Sequence, residues 1–134
     1  MVILDTNVVS ELMREMPNEA VAAWLGKQKP FHLATTSVTV AEIQQGLKRL
    51  PRGKRRSGLE ASFDLFMEQG FEGRIFPFDE QAARGYGEIC AKREKQGLGG
   101  GSVDMMIASI AHNTGAILAT RNVDDFEVCG IKLD

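Results

Sequence analysis

The sequence predicts an α/β domain built on a mainly parallel sheet, and three observations carry that expectation. Short, continuous apolar runs recur at Val2–Leu4, Phe31–Thr35, Ile75–Phe78, Ala116–Thr120 and, more weakly, Val128–Leu133. Runs of this kind, apolar throughout rather than alternating, mark strands buried on both faces. Helical patterns lie between them, and strands alternating with helices imply parallel strands joined by crossovers. The 134 residues suit one domain, spanning 1–134. A chain of that length buries roughly two-thirds of its unfolded surface, enough for a core without disulfides or a structural metal.

The elements follow in order. Val2-Ile3-Leu4 runs straight into Asp5-Thr6-Asn7, where the chain turns into a Val8–Met13 segment. Asn18–Gln28 places Ala20, Val21, Trp24 and Leu25 at helical spacing. Phe31–Thr35 reads as the second strand, with His32 an ordinary strand residue. Val38–Leu50 repeats Val40, Ile43, Leu47 and Leu50, and Gly58–Gln69 carries Leu59, Phe63, Phe66 and Met67. Asp79–Gln96 is helical in pattern but interrupted by Gly85 and Gly87. The helix over Ser102–Thr114 has Ser102 as N-cap, Gly115 as stop and a core stripe of Val103, Met106, Ile107 and Ile110. The loosest places are the basic stretch Pro51–Gly58 and the glycine run Gly97–Gly101.

Composition narrows the function. One Trp and one Tyr argue against a single-strand binder built on aromatic stacking platforms. A net charge of −2 excludes a surface that is basic throughout, while leaving room for a local basic patch. Cys90 and Cys129 lie far apart at no metal-ligand spacing and read as buried, reduced thiols of a cytoplasmic protein. There is no signal-peptide pattern and no apolar run of membrane-spanning length, so a soluble cytoplasmic protein is expected.

The acids carry the chemistry. In open parallel sheets, ligands bind outside the carboxyl ends of the strands, and Asp5 stands where the first strand runs out. A helix N-cap explains a lone acid there equally well. Thr39-Val40-Ala41-Glu42 fits a capping box, yet it follows a strand and so also brings Glu42 to the same edge. Asp104, in the first turn of its helix, complements the helix dipole, but it borders a wide apolar face where a carboxylate needs a cation or strong hydrogen bonds. A fourth acidic region, Asn122-Val123-Asp124-Asp125, follows the strand ending at Thr120. Each position is unremarkable alone; together at one sheet edge they repel and call for a compensating cation. Oxygen-only donors suit Mg²⁺ or Mn²⁺. His112 stands two helical turns from Asp104, about 12 Å by helix rise, too far to share its metal.

The motifs in sequence resemble those of PIN-domain ribonuclease toxins of the VapC family, in its FitB-like branch. Ile3-Leu4-Asp5-Thr6-Asn7-Val8-Val9-Ser10-Glu11 resembles the family's opening and Ser37–Glu42, with Gly46 after it, its second motif. Ser102–Ala108 resembles the third and Ala119–Phe126 the fourth, and the match spans essentially the whole chain. The resemblance implies a five-stranded parallel sheet between helices, a homodimer and a VapB-like antitoxin partner. It implies an endoribonuclease of a type II toxin–antitoxin system, cutting RNA to a 5′-phosphate and a 3′-hydroxyl. Asp5 and Asp104 match the metal-binding aspartates, which hold Mg²⁺ with Mn²⁺ able to substitute, and Glu42 matches the third acid. Thr6 and Thr120 match hydroxyls that orient carboxylates. Asn122 stands where some relatives carry an acid, which leaves Asn122, Asp124 and Asp125 as candidates for a fourth position. Of the two acids, Asp125 is the one expected to turn toward the site.

Lys48, Arg49, Arg52, Lys54, Arg55 and Arg56 form either a surface for an RNA backbone or a solvated basic loop. Three rival functions remain, one of them a response-regulator-like switch, which would want a lysine late in the chain where only the isolated Lys132 is offered. A non-catalytic member would bind RNA or a partner protein without cutting. An aspartyl-phosphate phosphotransferase would use Asp5 as nucleophile, but Asn7 occupies the place where such enzymes carry a second acid.

Overall fold

The computed structural model describes residues 1–126, Asp125 by its backbone alone, and the backbone of 132–133. Strand β1 (Val2–Leu4) leads into α1 (Thr6–Leu12) and α2 (Glu19–Gly26), then a 3₁₀ turn (Pro30–His32) and β2 (Leu33–Thr36). Helices α3 (Ser37–Lys48) and α4 (Lys54–Phe66), the latter prolonged by a π-helical turn (Met67–Phe71), precede β3 (Ile75–Phe76). Helices α5 (Glu80–Lys95) and α6 (Val103–Thr114) follow, then β4 (Ile117–Ala119), α7 (Val123–Phe126) and β5 (Lys132–Leu133).

The sheet has the order β3-β2-β1-β4-β5, and every pair is parallel. The expected five-stranded α/β sheet is therefore present. Alternation along β1 builds its two cores. Ile3 faces a cluster with Met105, Ile107, Ile110 and Leu118, while Val2 and Leu4 face one with Val9, Ile43, Leu47 and Phe63. A strand buried on both faces must be apolar throughout, which is why this one carries no polar residue before Asp5. Among the described residues no helix is long and apolar enough to cross a membrane.

Several local expectations need correction. Helix α3 starts at Ser37, capped by the Thr36 side chain, which accepts from the Thr39 amide at 3.1 Å. Thr39 is thus inside the helix, and Glu42 lies a turn beyond any capping box. Lys54, Arg55 and Arg56 form the first turn of α4 rather than a loop. His32 belongs to the 3₁₀ turn, its ring edge-on to Phe31. Helix α5 runs unbroken through Gly85 and Gly87. In α6 the buried stripe is Met105, Ile107, Ala108, Ile110 and Ala111, whereas Val103 is 39% exposed. Cys90 is a free thiol, half-buried rather than buried. Cys129 and most of the expected Val128–Leu133 strand lie outside the described residues.

The glycine run before α6 is anchored. A Cβ at Gly101 would overlap the Tyr86 hydroxyl, whose oxygen is also hydrogen-bonded to the Ser102 backbone. Tyr86 thereby sets the start of the helix that carries Asp104. Gly101→Ala is expected to cost about 1–3 kcal/mol, the range for forcing extra atoms into packed space, and to lower activity by displacing Ser102; urea unfolding and cleavage assays measure both.

Candidate active site

Strand order reverses at β1, because the chain first adds β2 and β3 on one side and then β4 and β5 on the other. Crevices in parallel sheets open at the carboxyl ends of strands flanking such a reversal. Asp5 is the first residue past β1, and its amide donates to the Ala119 carbonyl at 3.2 Å. Leu4 is in register with Ala119, so the residue after β4, Thr120, falls beside Asp5.

Asp5 serves two purposes. Its side chain caps α1, with Oδ1 accepting from the Val8 amide at 2.9 Å, so the local reading as an N-cap is correct. The carboxyl is also only 3% exposed, and burial is the main reason its pKa is raised from the ordinary value of 3.8. Hydrogen bonds from Thr120 and the Val8 amide pull the other way, while the charges of Asp104 and Glu42 push it further up. The structure thus brings Asp5, Glu42 and Asp104 into electrostatic contact, although 37 and 62 residues separate them along the chain (42 − 5 and 104 − 42).

Two hydroxyls order this group. Thr6 donates a short hydrogen bond to Glu42 Oε1 and stands 3.1 Å from the Thr39 hydroxyl. Thr120 donates to Asp5 and accepts from the Asn122 amide at 3.0 Å, so a relay runs from the β4–α7 turn to the buried carboxylate. Thr6→Val removes the first tether and leaves Glu42 free to swing; a loss of activity of about 10–100-fold is expected, typical of groups that orient ligands, with an unchanged thermal transition as the check on folding.

The fourth region divides. Asn122 is half-buried and lines a cleft with Asn7, Glu11 and Arg121, while Asp124 is exposed. The expectation for the Asp125 carboxylate lies outside the described side chains. Phe126 is fully buried.

Among the described residues no three carboxylate, imidazole or thiol side chains enclose a cation by themselves. Among the described residues, the groups acting on Asp5 are neutral donors or like charges, and a buried carboxylate so placed, with further carboxylates beside it, is one that a divalent cation taking oxygen donors would satisfy.

Sequence reasoning gave Glu11 no role of its own. It is 8% exposed and pairs with Arg14 at 3.2 Å and Arg121 at 3.6 Å. Its i, i+3 spacing to Arg14 was a legible signal; its burial was not. Beside the site runs an open groove of about 1020 Å³, lined by Thr6 and Glu42 and also by Arg14, Lys54 and Arg55.

Comparison with known proteins agrees with this geometry. The PIN domain family model matches residues 2–130. The VapC ribonuclease Y4jK of Sinorhizobium fredii is 37% identical over 133 residues, covering 99% of this chain and 95% of that protein. Toxin FitB of Neisseria gonorrhoeae is 36% identical over 126 residues, covering 94% of this chain and 91% of its own. The solved structure of FitAB bound to an IR36 DNA fragment superposes with a TM-score of 0.92 at 34% identity, covering 100% of this chain and 94% of that one. The chain belongs to the PIN-domain family, within its group of VapC- and FitB-like toxins.

Proposed function

We propose that this protein is the toxin of a toxin–antitoxin pair and a divalent-metal-dependent endoribonuclease, working in the cytoplasm as one PIN domain over residues 1–134 and as a homodimer. The observation that carries this reading is the buried Asp5 carboxylate, pressed upon by Asp104 and Glu42, with no basic side chain among the described groups that act on it. The kinship with a VapC ribonuclease supplies the substrate class, and the FitAB complex supplies the kind of partner, a VapB-like antitoxin.

Asp5 and Asp104 would hold Mg²⁺ or Mn²⁺. Bound there, the cation would polarise the scissile phosphate and stabilise the charge that develops on it. Thr120 and the Val8 amide fix the Asp5 carboxylate in place. Glu42, tethered through Oε1 by Thr6, orients the attacking water through its other oxygen. Water adds to phosphorus, the bond to the 3′-oxygen breaks, and that oxygen leaves as a hydroxyl after taking up a proton. The products are a 5′-phosphate and a 3′-hydroxyl. The near-complete burial of Asp5 disfavours the phosphotransferase alternative, since a nucleophilic carboxylate must reach its phosphorus.

The test is cleavage of total tRNA and rRNA by the purified chain. Activity should vanish on chelation and return with Mg²⁺ or Mn²⁺, and co-expression of the antitoxin should suppress it. Binding of RNA without cleavage under any divalent cation, in a chain that still arrests growth, would identify a non-catalytic member instead.

A further inference from the structure

Glu11 is the one buried acid of α1 with two cationic partners, and its place is hard to explain by stability. Its side chain is 10% exposed, whereas Arg14 and Arg121 are 69% and 53% exposed. Ion pairs to exposed arginines contribute little to folding, while burying the carboxylate costs desolvation. What the arrangement does achieve is placement. Arg121 comes from the β4–α7 turn and Arg14 from just beyond α1, and Glu11 holds both at one point.

That point borders two clefts. Arg14 lines the groove that also contains Thr6 and Glu42, and it lines the cleft containing Asn7 and Asn122. Arg121 lines the second cleft and continues to the surface beside Thr120. Two of the nearby basic residues are engaged differently, Lys48 and Arg56 both pairing with Glu60 at 2.6 and 3.1 Å, while Lys54 and Arg55 line the groove without lining the second cleft. We propose that Glu11 is a positioning residue that holds Arg14 and Arg121 as a two-arginine clamp for RNA phosphates flanking the scissile bond. Guanidinium forks suit this task because each can present two donors to one phosphate. The proposal rests on the nuclease reading above and assigns the residues that guide the strand.

The experiment measures kcat and KM for RNA cleavage across a salt series, with thermal unfolding of each variant. Deleting one cation that neutralises a phosphate should flatten the slope of log kcat/KM against log salt by about 0.7. Arg14→Ala and Arg121→Ala are each expected to show that flattening and a KM raised about tenfold, with kcat within about twofold of wild type. Glu11→Gln keeps both charges and should raise KM with the slope intact. Arg121→Lys should do the same, and it remains informative should Glu11→Gln fail to fold. Wild-type KM and slope in both arginine variants would overturn the clamp, as would a loss confined to kcat. Arginine variants that cut RNA normally but escape the antitoxin would show that the pair serves a protein contact instead. If the wild-type chain cuts no RNA in any divalent cation, the nuclease reading falls and the clamp with it; slopes and KM unchanged from an active wild type in both arginine variants remove the clamp alone.

Discussion

Asp104→Asn is expected to lower RNA cleavage by about 10²–10³-fold, the loss typical when one group that stabilises transition-state charge is removed. The substitution keeps size and hydrogen-bonding capacity while deleting one of the two negative charges proposed to hold the cation. It also deletes a charge that presses on Asp5. The apo protein should therefore be at least as stable as wild type, which separates this loss from misfolding. Cleavage and growth-arrest assays, read beside a thermal melt, decide the matter. Full toxicity at wild-type expression would remove Asp104 from the site.

Asp5→Asn should abolish cleavage to a similar degree and, unlike most core substitutions, make the metal-free protein more stable at neutral pH. Asparagine caps helices as well as aspartate does, so the bond to the Val8 amide survives. The gain follows from proton linkage. The folded pKa of Asp5 lies above its ordinary 3.8, so between those two values the native state binds more protons than the unfolded chain. Native stability then falls as pH rises through that window and stays lowered above it. A neutral residue abolishes this dependence. Divalent cation should act in the opposite sense on wild type, stabilising it by about 2.7 kcal/mol at a hundredfold excess over Kd, and should do little for Asp5→Asn. Melts at several pH values, with Mn²⁺ and with chelator, test both halves. A pH profile shared by variant and wild type would show that Asp5 bears no such strain.

How far the sequence could be read depended on what each residue's role required. Strand runs such as Val2-Ile3-Leu4 were visible because burial on both faces leaves no place for a polar side chain. The cap at Ser102 was equally visible, since it binds its own helix within three residues. The start of α3 was misplaced by one turn because Thr36 and Thr39 are both competent caps, and only the end of β2 decides between them. Gly85 suggested an interruption, yet α5 passes through it where a Cβ would lie 3.1 Å from the Asn113 side chain of α6. Close helix packing there outweighs the roughly 1 kcal/mol that glycine costs a helix. The gathering of Asp5 and Asp104 was inferable because one stands at a strand end and the other in the first turn of a helix. Glu42, by contrast, was assigned to the same edge through a capping box that the structure places one turn earlier. The partnership of Glu11 with Arg121 was not inferable, because it spans 110 residues (121 − 11) and obeys no local spacing.

The central strand has one further consequence, for the moment of synthesis. β1 is translated first, yet both of its hydrogen-bonded edges are filled later, by β2 at Leu33–Thr36 and by β4 at Ile117–Ala119. Pairings so distant in sequence close late, and Asp5 has neither its Thr120 hydroxyl nor its Asp104 neighbour until the fourth strand exists. A ribosome making this protein therefore carries a chain that is harmless for most of its length. The capacity to damage RNA arises only when the last interior strand slides in beside the first.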